Sequence, residues 1–336
     1  MTPPHSENSS ASLPAQIDWS AAPLREWYFP RVPPRPSVRS LLLAVLLFLL
    51  ALCTSLVAGT QFAVAYRHNQ AVSFDELLRA FQLFYKHFAG LAAGLPFALT
   101  LLGILLAHEL RHFFACRHHH IRSSYPFFIP FPSLIGTFGA FILIRSPIRT
   151  NRALFDVGAS GPFVGFVVAI PALVYGVLHA RIVPGLTASA NAEVVFGTPL
   201  LLRFLELLLH PGVAANSLLL PPVGRAAWVG LFATSLNLLP VAQLDGGHIL
   251  RSLNPRVHRS LSLLVPIGLL ALGLLGYWEG WYIWGALLLG IRFLRIAPVY
   301  DAAALDGNRR FAALLALVVF LLCFMPSPIL ISATSP

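Results

Sequence analysis

The chain has 336 residues, of which 57% are hydrophobic and only 11% are charged, and its formal net charge is +10. A soluble domain typically carries about 25% charged residues, so this composition excludes an ordinary soluble globule and a disordered chain. It also excludes a lysine-rich nucleic-acid-binding protein, because Lys86 is the only lysine. The sequence therefore predicts a membrane protein that crosses the bilayer several times.

The N-terminal segment is predicted to be a tail that precedes the membrane domain. Residues 1–38 are rich in proline and serine, a composition typical of disorder. The first apolar run, Ser40–Tyr66, is uncharged and exceeds the roughly 20 residues that a spanning helix needs. A cleavable signal peptide has an earlier and shorter apolar core. We therefore predict an uncleaved anchor and a membrane domain over residues 39–336.

Further apolar runs predict an all-α polytopic membrane protein with about seven transmembrane helices. Arginines are concentrated after the second run and sparse between the third and fourth, so the positive-inside rule places the former connection and the N-terminal tail in the cytoplasm. Thr198–Leu209 contains Arg203 and Glu206 and is predicted to be an interfacial or partly inserted helix. The predicted spans are Ser40–Tyr66, Phe88–Ala107, Val157–Leu178, Ala226–Leu244, Ser260–Trp278, Gly280–Ile296 and Phe311–Pro336.

The segment after the second span predicts a small membrane-associated β-hairpin. Tyr125–Pro132 contains three prolines, which exclude a regular helix. Gly136–Ile144 has the aromatic and β-branched content of a strand. Non-helical backbone at membrane depth must be covered by protein or line a wet cavity. We therefore expect this hairpin to lie beside such a cavity.

The second span runs into the motif His108-Glu109-Leu110-Arg111-His112. On a helix, histidines four positions apart project from one face and can bind one zinc ion, and the glutamate beside them is placed to act as a general base. Ionisable groups inside apolar sequence are functional by default. The alternative is that the helix ends at Ala107 and the motif is a polar cap at the membrane interface.

A third metal ligand is expected at the end of the fourth span. A catalytic zinc site needs three protein ligands, and Asp245 is predicted to emerge on the same side of the membrane as His112. Pro240 breaks the helix before the aspartate and helps to direct its carboxylate. A turn residue at a helix C-terminus is the alternative for Asp245. His248 either orients the Asp245 carboxylate or is a solvated loop histidine.

Taken together, these motifs resemble the site-2 protease family of intramembrane zinc metalloproteases. The resemblance is carried by the His108–His112 motif, by Asn237-x-x-Pro240 and by Leu244-Asp245-Gly246. Two small-residue segments also fit the branch of the family that lacks a PDZ insert, namely Gly136–Ala140 and Ala159–Pro162. The similarity covers a three-helix catalytic core at about residues 88–253.

The resemblance implies roles for individual residues. The zinc ligands fall on His108, His112 and Asp245, and the catalytic residue falls on Glu109. Asn237 matches an asparagine that helps to hold the substrate or the oxyanion. The substrate-pairing strand falls on Gly136–Ile144, with Gly136 and Gly139 as substrate-binding residues. Gly165 departs from the family, since many relatives have asparagine there, so a substrate contact from that position is not expected.

The sequence thus predicts a zinc metalloendopeptidase, with one zinc per chain, that cleaves transmembrane or membrane-anchored proteins near the cytoplasmic face. Its expected partners are these substrates and the lipid bilayer, with no nucleic acid. An ion-coupled transporter remains an alternative, although it predicts paired broken helices or duplicated halves. A catalytically inactive scaffold is another alternative, and loss of Glu109 or a ligand would mark it. The acidic residues of the tail do not fit a transit peptide, which favours a bacterial plasma membrane over a plastid.

Overall fold

The computed structural model describes residues 37–73, 88–184, 194–213, 217–292 and 303–331. The predicted tail, residues 1–38, lies outside these ranges except for its last two residues. A 3-10 helix at Phe88–Gly94 leads directly into the second α-helix. The described ranges contain the α-helices α1 Val38–His68, α2 Leu95–His118, α3 Asn151–Leu178, α4 Leu200–Leu209, α5 Pro222–Asn237, α6 Asp245–Leu253, α7 Pro255–Leu274, α8 Gly280–Arg292 and α9 Gly307–Cys323.

Short strands connect some of the helices and pair two by two. β1 pairs antiparallel with β2, β3 with β5, and β4 with β6. Because each sheet has only two strands, the helices dominate the fold. The strands are β1 Phe127–Pro130, β2 Thr137–Phe141, β3 Arg181–Ile182, β4 Val194–Phe196, β5 Leu218–Leu219 and β6 Ile329–Ile331.

Four helical segments of the described chain are long and apolar enough to cross a membrane, namely Val38–His68, Gly90–His118, Asn151–Leu178 and Pro255–Leu274. The mostly helical prediction is confirmed, but the count of seven spans is not. The predicted span Ala226–Leu244 is wrong in extent, because α5 ends at Asn237. Pro240 explains this end, since proline lacks the N–H that an interior helical position donates.

The last predicted span is also wrong in extent. Helix α9 ends at Cys323, and strand β6 follows it, whereas the apolar run continues to Pro336. Pro326 and Pro328 lie just after the helix, and proline is common after a helix C-terminus because it cannot continue the helical hydrogen bonds. The hydropathy of the sequence alone does not show that the helix ends at Cys323.

Helices α2, α3 and α5 pack against one another and form the centre of the fold. Their shared core is apolar, and Leu101, Leu173 and Trp228 are almost completely buried. The Trp228 indole N–H donates a hydrogen bond to the Gly197 carbonyl over 2.7 Å, so this buried donor is satisfied. This arrangement brings the C-terminal half of α2, the N-terminal half of α3 and the C-terminal end of α5 together.

The β1–β2 pair is fastened to α1. The turn before β2 places Gly136 at φ 78°, a conformation that favours glycine. The Gly136 carbonyl accepts a hydrogen bond from the Thr54 hydroxyl, and a Cβ at Gly136 would lie 2.4 Å from Ser55 Cα. The Phe48 ring meets the Phe128 ring edge-on at 5.1 Å between centroids. Helix α1 therefore fixes the position of this strand pair.

Helix α4 buries an acidic residue whose ion-pair contact in the described ranges is long. Glu206 is 6% exposed, and its Oε2 has no hydrogen-bond partner in the described chain. Among the described residues, Arg203 forms its ion pair, with Nη1 3.9 Å from Oε2. Burial raises the pKa of Glu206 to about 7, and the nearby Arg203, Arg225 and His210 offset this only in part. The segment is predicted to be an interfacial or partly inserted helix, and the structure places its acidic residue inside the protein.

A charged cluster joins α9 to the central helices. The Arg309 guanidinium donates from Nε and Nη2 to the two carboxylate oxygens of Asp156, over 2.8 and 2.7 Å. His119, just after α2, lies 2.9 Å from the same carboxylate, and Arg309 also pairs with Asp306 at the start of α9. The cluster therefore connects the end of α2 and the start of α3 with α9.

Candidate metal centre

The two histidines of the motif lie in the interior of α2. The helix continues to His118, so the alternative of a polar cap after Ala107 is wrong. His108 and His112 are each 5% exposed, and their Nε2 atoms are 3.0 Å apart. This is the one-face arrangement that the four-residue spacing predicts.

Asp245 reaches both histidines from a different helix. Its Oδ2 lies 3.2 Å from His108 Nε2 and 3.2 Å from His112 Nε2. Asp245 is the first residue of α6, so the alternative of a residue at a helix C-terminus is wrong. A Cβ at Gly246 would lie 2.0 Å from the Leu238 carbonyl oxygen. Glycine at this position therefore lets α6 start against the end of α5 and directs Asp245 at the histidines.

These three side chains form the group within the described residues that could hold a metal ion. Zinc binds histidine nitrogen and carboxylate oxygen at about 2.0–2.2 Å in a tetrahedral arrangement, in which neighbouring ligand atoms are about 3.3 Å apart. The observed separations of 3.0, 3.2 and 3.2 Å are close to this edge length. Two imidazoles and one carboxylate also form a donor set that zinc accepts. The residues present therefore fit zinc.

A backbone contact fixes the tautomer of His112. The Val157 carbonyl of α3 lies 2.7 Å from His112 Nδ1 and can only accept a hydrogen bond, so Nδ1 carries the proton. The lone pair of Nε2 is then left for a metal ion. Hydrogen bonds of this kind commonly orient metal-binding histidines. Sequence reasoning identified the ligand but not this carbonyl, because no sequence pattern marks a backbone acceptor.

Three glycines of α3 make room for the site. Gly158, Gly161 and Gly165 have helical spacings of three and four and so share one face. A Cβ at Gly161 would lie 2.1 Å from His112 Nε2, and one at Gly165 would lie 3.1 Å from His108 Nδ1. At Gly158 it would lie 2.6 Å from His248 Cβ. The sequence contained this signal as the spacing G-x-x-G-x-x-x-G, which we did not identify as part of the site.

Glu109 lies beside the three ligand atoms and is 6% exposed. Its Oε1 is 4.0 Å from His108 Nε2, so the carboxylate is near the metal position without being one of its three closest donors. The backbone N–H of Ile142, directly after β2, lies close enough to interact electrostatically with this carboxylate. The end of β2 and the acidic group are therefore neighbours.

Asn237 and His248 complete the surroundings of the site. Asn237 Nδ2 lies 3.4 Å from His108 Nε2, at the last residue of α5. His248 is in the first turn of α6, and its buried Nδ1 has no hydrogen-bond partner in the described chain. His248 is in a helix, so the alternative of a solvated loop histidine is wrong, and the described contacts include no hydrogen bond between His248 and Asp245. Gly136 and Gly139 lie at the turn and within β2, with φ of 78° and 112°. Their contact with substrate stays a prediction.

Comparison with known proteins identifies one family. A family model described as peptidase family M50 matches residues 96–274, which is just over half of the chain and contains the three candidate ligands. The motif-based prediction of a relationship to the site-2 proteases is confirmed. No solved structure gives a significant match.

Several curated relatives are plant proteins. The chain is 33% identical over 187 residues to probable zinc metalloprotease EGY1, chloroplastic, of Arabidopsis thaliana, covering 54% of the chain and 34% of that protein. It is 30% identical over 237 residues to probable zinc metalloprotease EGY2, chloroplastic, of the same plant, covering 70% of the chain and 42% of that protein. The chain thus spans about a third to two fifths of the length of these relatives. Membrane association agrees with the four apolar helices, but chloroplastic relatives do not support the predicted bacterial plasma membrane.

Proposed function

Because the chain belongs to peptidase family M50, the site-2 protease family, we propose that it is an intramembrane zinc metalloendopeptidase. Its substrates in this proposal are transmembrane or membrane-anchored proteins, and one zinc ion is held by His108, His112 and Asp245. The observation that carries the proposal is the convergence of these three ligand atoms to within 3.2 Å, beside a buried Glu109, in a helix long enough to span a membrane.

Zinc, when bound, polarises a carbonyl and lowers the pKa of water toward 7. In the proposed reaction, Glu109 accepts a proton from the attacking water as a bond forms between the water oxygen and the scissile carbonyl carbon. Glu109 then delivers that proton to the departing amine as the carbon–nitrogen bond breaks. Asn237 is placed to donate a hydrogen bond to the carbonyl oxygen as negative charge develops on it.

The strand β2 supports a role in substrate binding. A transmembrane substrate is helical, and its carbonyls are occupied by internal hydrogen bonds, so a stretch of it must unwind before cleavage. An unwound stretch can regain hydrogen bonds by pairing with a strand edge. β2 belongs to a two-stranded sheet and ends next to Glu109, which puts such a pairing within reach of the base.

The distribution of arginines supports cleavage near the cytoplasmic face. The connection between α2 and α3 contains Arg122, Arg145 and Arg149, and it also contains the β1–β2 pair. The positive-inside rule places this connection in the cytoplasm. Since Glu109 lies close to the end of β2, the proposed site opens toward that side.

The test uses the purified full chain in proteoliposomes with a single-span reporter substrate. Glu109→Gln should retain the fold and about one zinc per chain but abolish cleavage, whereas Asp245→Ala should lose zinc as well. The matched control is Glu279→Gln, because Glu279 is exposed and lies outside the site, and it should cleave like the wild type. Retained turnover in Glu109→Gln would exclude Glu109 as the base, and equal zinc in Asp245→Ala would exclude Asp245 as a ligand.

The same experiment separates the two alternative functions. An inactive scaffold would bind the reporter and would not cleave it, even with full zinc occupancy. An ion-coupled transporter would carry ions across the vesicle membrane with no dependence on zinc. The sequence shows no internal repeat, whereas transporters of this kind often have duplicated halves. Hydrolysis is therefore the function that the geometry supports best.

A further inference from the structure

A basic pocket lies between α6, α7 and α8, separate from the metal centre. Each helix contributes an arginine to its lining: Arg251 from α6, Arg259 from α7 and Arg292 from the last turn of α8. None of the lining residues within the described ranges is acidic. Guanidinium groups of like sign repel one another around a cavity, so an anion beside Arg259 and Arg292 relieves an unfavourable arrangement.

The polar groups at the base of the pocket form hydrogen bonds within the protein. His258 Nε2 lies 3.1 Å from the Ala242 carbonyl, and Ser262 Oγ accepts a hydrogen bond from the Ala242 N–H over 3.1 Å. These contacts fix the turn before Asp245 and give the pocket a rigid base. The guanidinium groups of Arg259 and Arg292 are exposed and form no ion pair within the described ranges. They are therefore available to a ligand.

Planar guanidinium groups recognise phosphate oxygens through paired N–H donors. Arginines on three separate helices can surround one phosphate in a way that scattered surface charges cannot. The chemistry of the pocket therefore selects a phosphate group, and this group could belong to a lipid or to a free ion.

The surface next to the pocket favours a lipid. Helix α7 is a candidate span, and Arg259 lies in its first turns, near an end of the helix, where a spanning helix would meet the headgroups. Leu263 and Ile267 follow Arg259 at intervals of four residues, on the same face of the helix, and are 37% and 48% exposed. A charged headgroup site continuous with an exposed apolar face matches the two parts of a phospholipid.

We propose that the pocket between α6, α7 and α8 binds the phosphate headgroup of an anionic phospholipid, with its acyl chains along Leu263 and Ile267. Basic pockets between transmembrane helices are a known form of headgroup site. This site is independent of the proposed peptidase activity, because the pocket lining includes none of the candidate metal ligands.

The test is native mass spectrometry of the full chain in a neutral detergent, titrated with dioleoyl phosphatidylglycerol. An arginine near an anionic lipid contributes about a factor of five in affinity, so Arg259→Gln/Arg292→Gln should bind about 25-fold more weakly than the wild type. The control is Arg256→Gln/Arg310→Gln, which removes the same charge from two exposed arginines outside the pocket and should leave binding unchanged. Melting temperatures of both variants verify that they are folded.

Two further titrations distinguish the possible occupants. Dioleoyl phosphatidylcholine has the same chains but no net charge, and it should bind the wild type much more weakly than phosphatidylglycerol. Inorganic phosphate alone should bind weakly, because it cannot use the apolar face. Equal binding of the two lipids, or equal weakening in the control variant, would overturn the proposal. Tight binding of inorganic phosphate with no preference for phosphatidylglycerol would make the occupant a free anion and would equally overturn it.

Discussion

Replacing Gly161 with alanine should weaken metal binding without removing any ligand. The added Cβ would lie 2.1 Å from His112 Nε2, whereas ordinary contacts with a Cβ are 3.4 Å or longer. Either the imidazole or helix α3 must therefore move by more than 1 Å. If the imidazole moves, its nitrogen leaves the position next to His108 and Asp245. If α3 moves, the hydrogen bond from His112 Nδ1 to the Val157 carbonyl is lost.

The expected loss of zinc affinity depends on the interaction that each movement breaks. Loss of a hydrogen bond that orients a metal ligand costs about 10–100-fold in affinity, and displacement of the ligand itself costs more, so at least about 100-fold weaker zinc binding is expected. Gly165→Ala provides a graded comparison. Its Cβ would lie 3.1 Å from His108 Nδ1, so the neighbour needs to shift by only a few tenths of an ångström and the loss should be below about 10-fold.

The assay is the zinc content of the purified chain, measured by inductively coupled plasma mass spectrometry after dialysis against graded concentrations of chelator. Gly103→Ala is the matched control, because a Cβ there meets no atom within 4 Å and zinc should be unchanged. Circular dichroism verifies that all three variants are helical. A folded Gly161→Ala variant that retains wild-type zinc affinity would refute the argument that α3 shapes the site.

Two other variants test features away from the metal centre. Because burial raises the pKa of Glu206 from 4.5 to about 7, the folded state binds the proton more tightly, and wild-type stability should fall as the pH rises from about 4.5 to about 7. Glu206→Gln should lack this loss in melting experiments at about pH 5 and about pH 8, and parallel curves for the two proteins would contradict the assignment. Arg309→Gln should lower the free energy of unfolding by about 1–3 kcal/mol, because its charged hydrogen bonds to Asp156 are partly shielded from water. The exposed neighbour Arg310, which forms no ion pair in the described part of the chain, should change stability by less than about 0.5 kcal/mol when replaced by glutamine, and equal effects in a denaturant titration would count against the cluster.

The sequence was most informative where chemistry follows a local spacing. His108 and His112 are one helical turn apart, so their common face followed from the helix alone. The role of Asp245 as a metal ligand was predicted by a longer argument. It combined the helix break at Pro240 with the side of the membrane on which the segment ends. Both steps rest on short-range rules, and the structure brings all three side chains together.

Features that depend on the approach of distant segments were not predictable. Nothing near Arg309 in the sequence indicates a partner 153 positions away at Asp156, because an ion pair leaves no periodic pattern. Glu206 was identified as charged within an apolar run, but its burial depends on packing among helices. Hydropathy also overestimated the extent of α5, since apolar residues in a turn count the same as those in a helix.

Because Ile142, directly after β2, lies near Glu109, the strand pair also sets a distance between a paired peptide and the base. A strand advances about 3.4 Å per residue, so a peptide that paired along β2 and slipped by two residues would carry its scissile bond about 7 Å from the base. The end of β2 therefore defines which residue of a paired peptide lies beside Glu109. Under the proposed function, the position of the cleaved bond is determined by its distance along the paired peptide from the end of β2. The side chains around that bond matter mainly by allowing the peptide to lie extended.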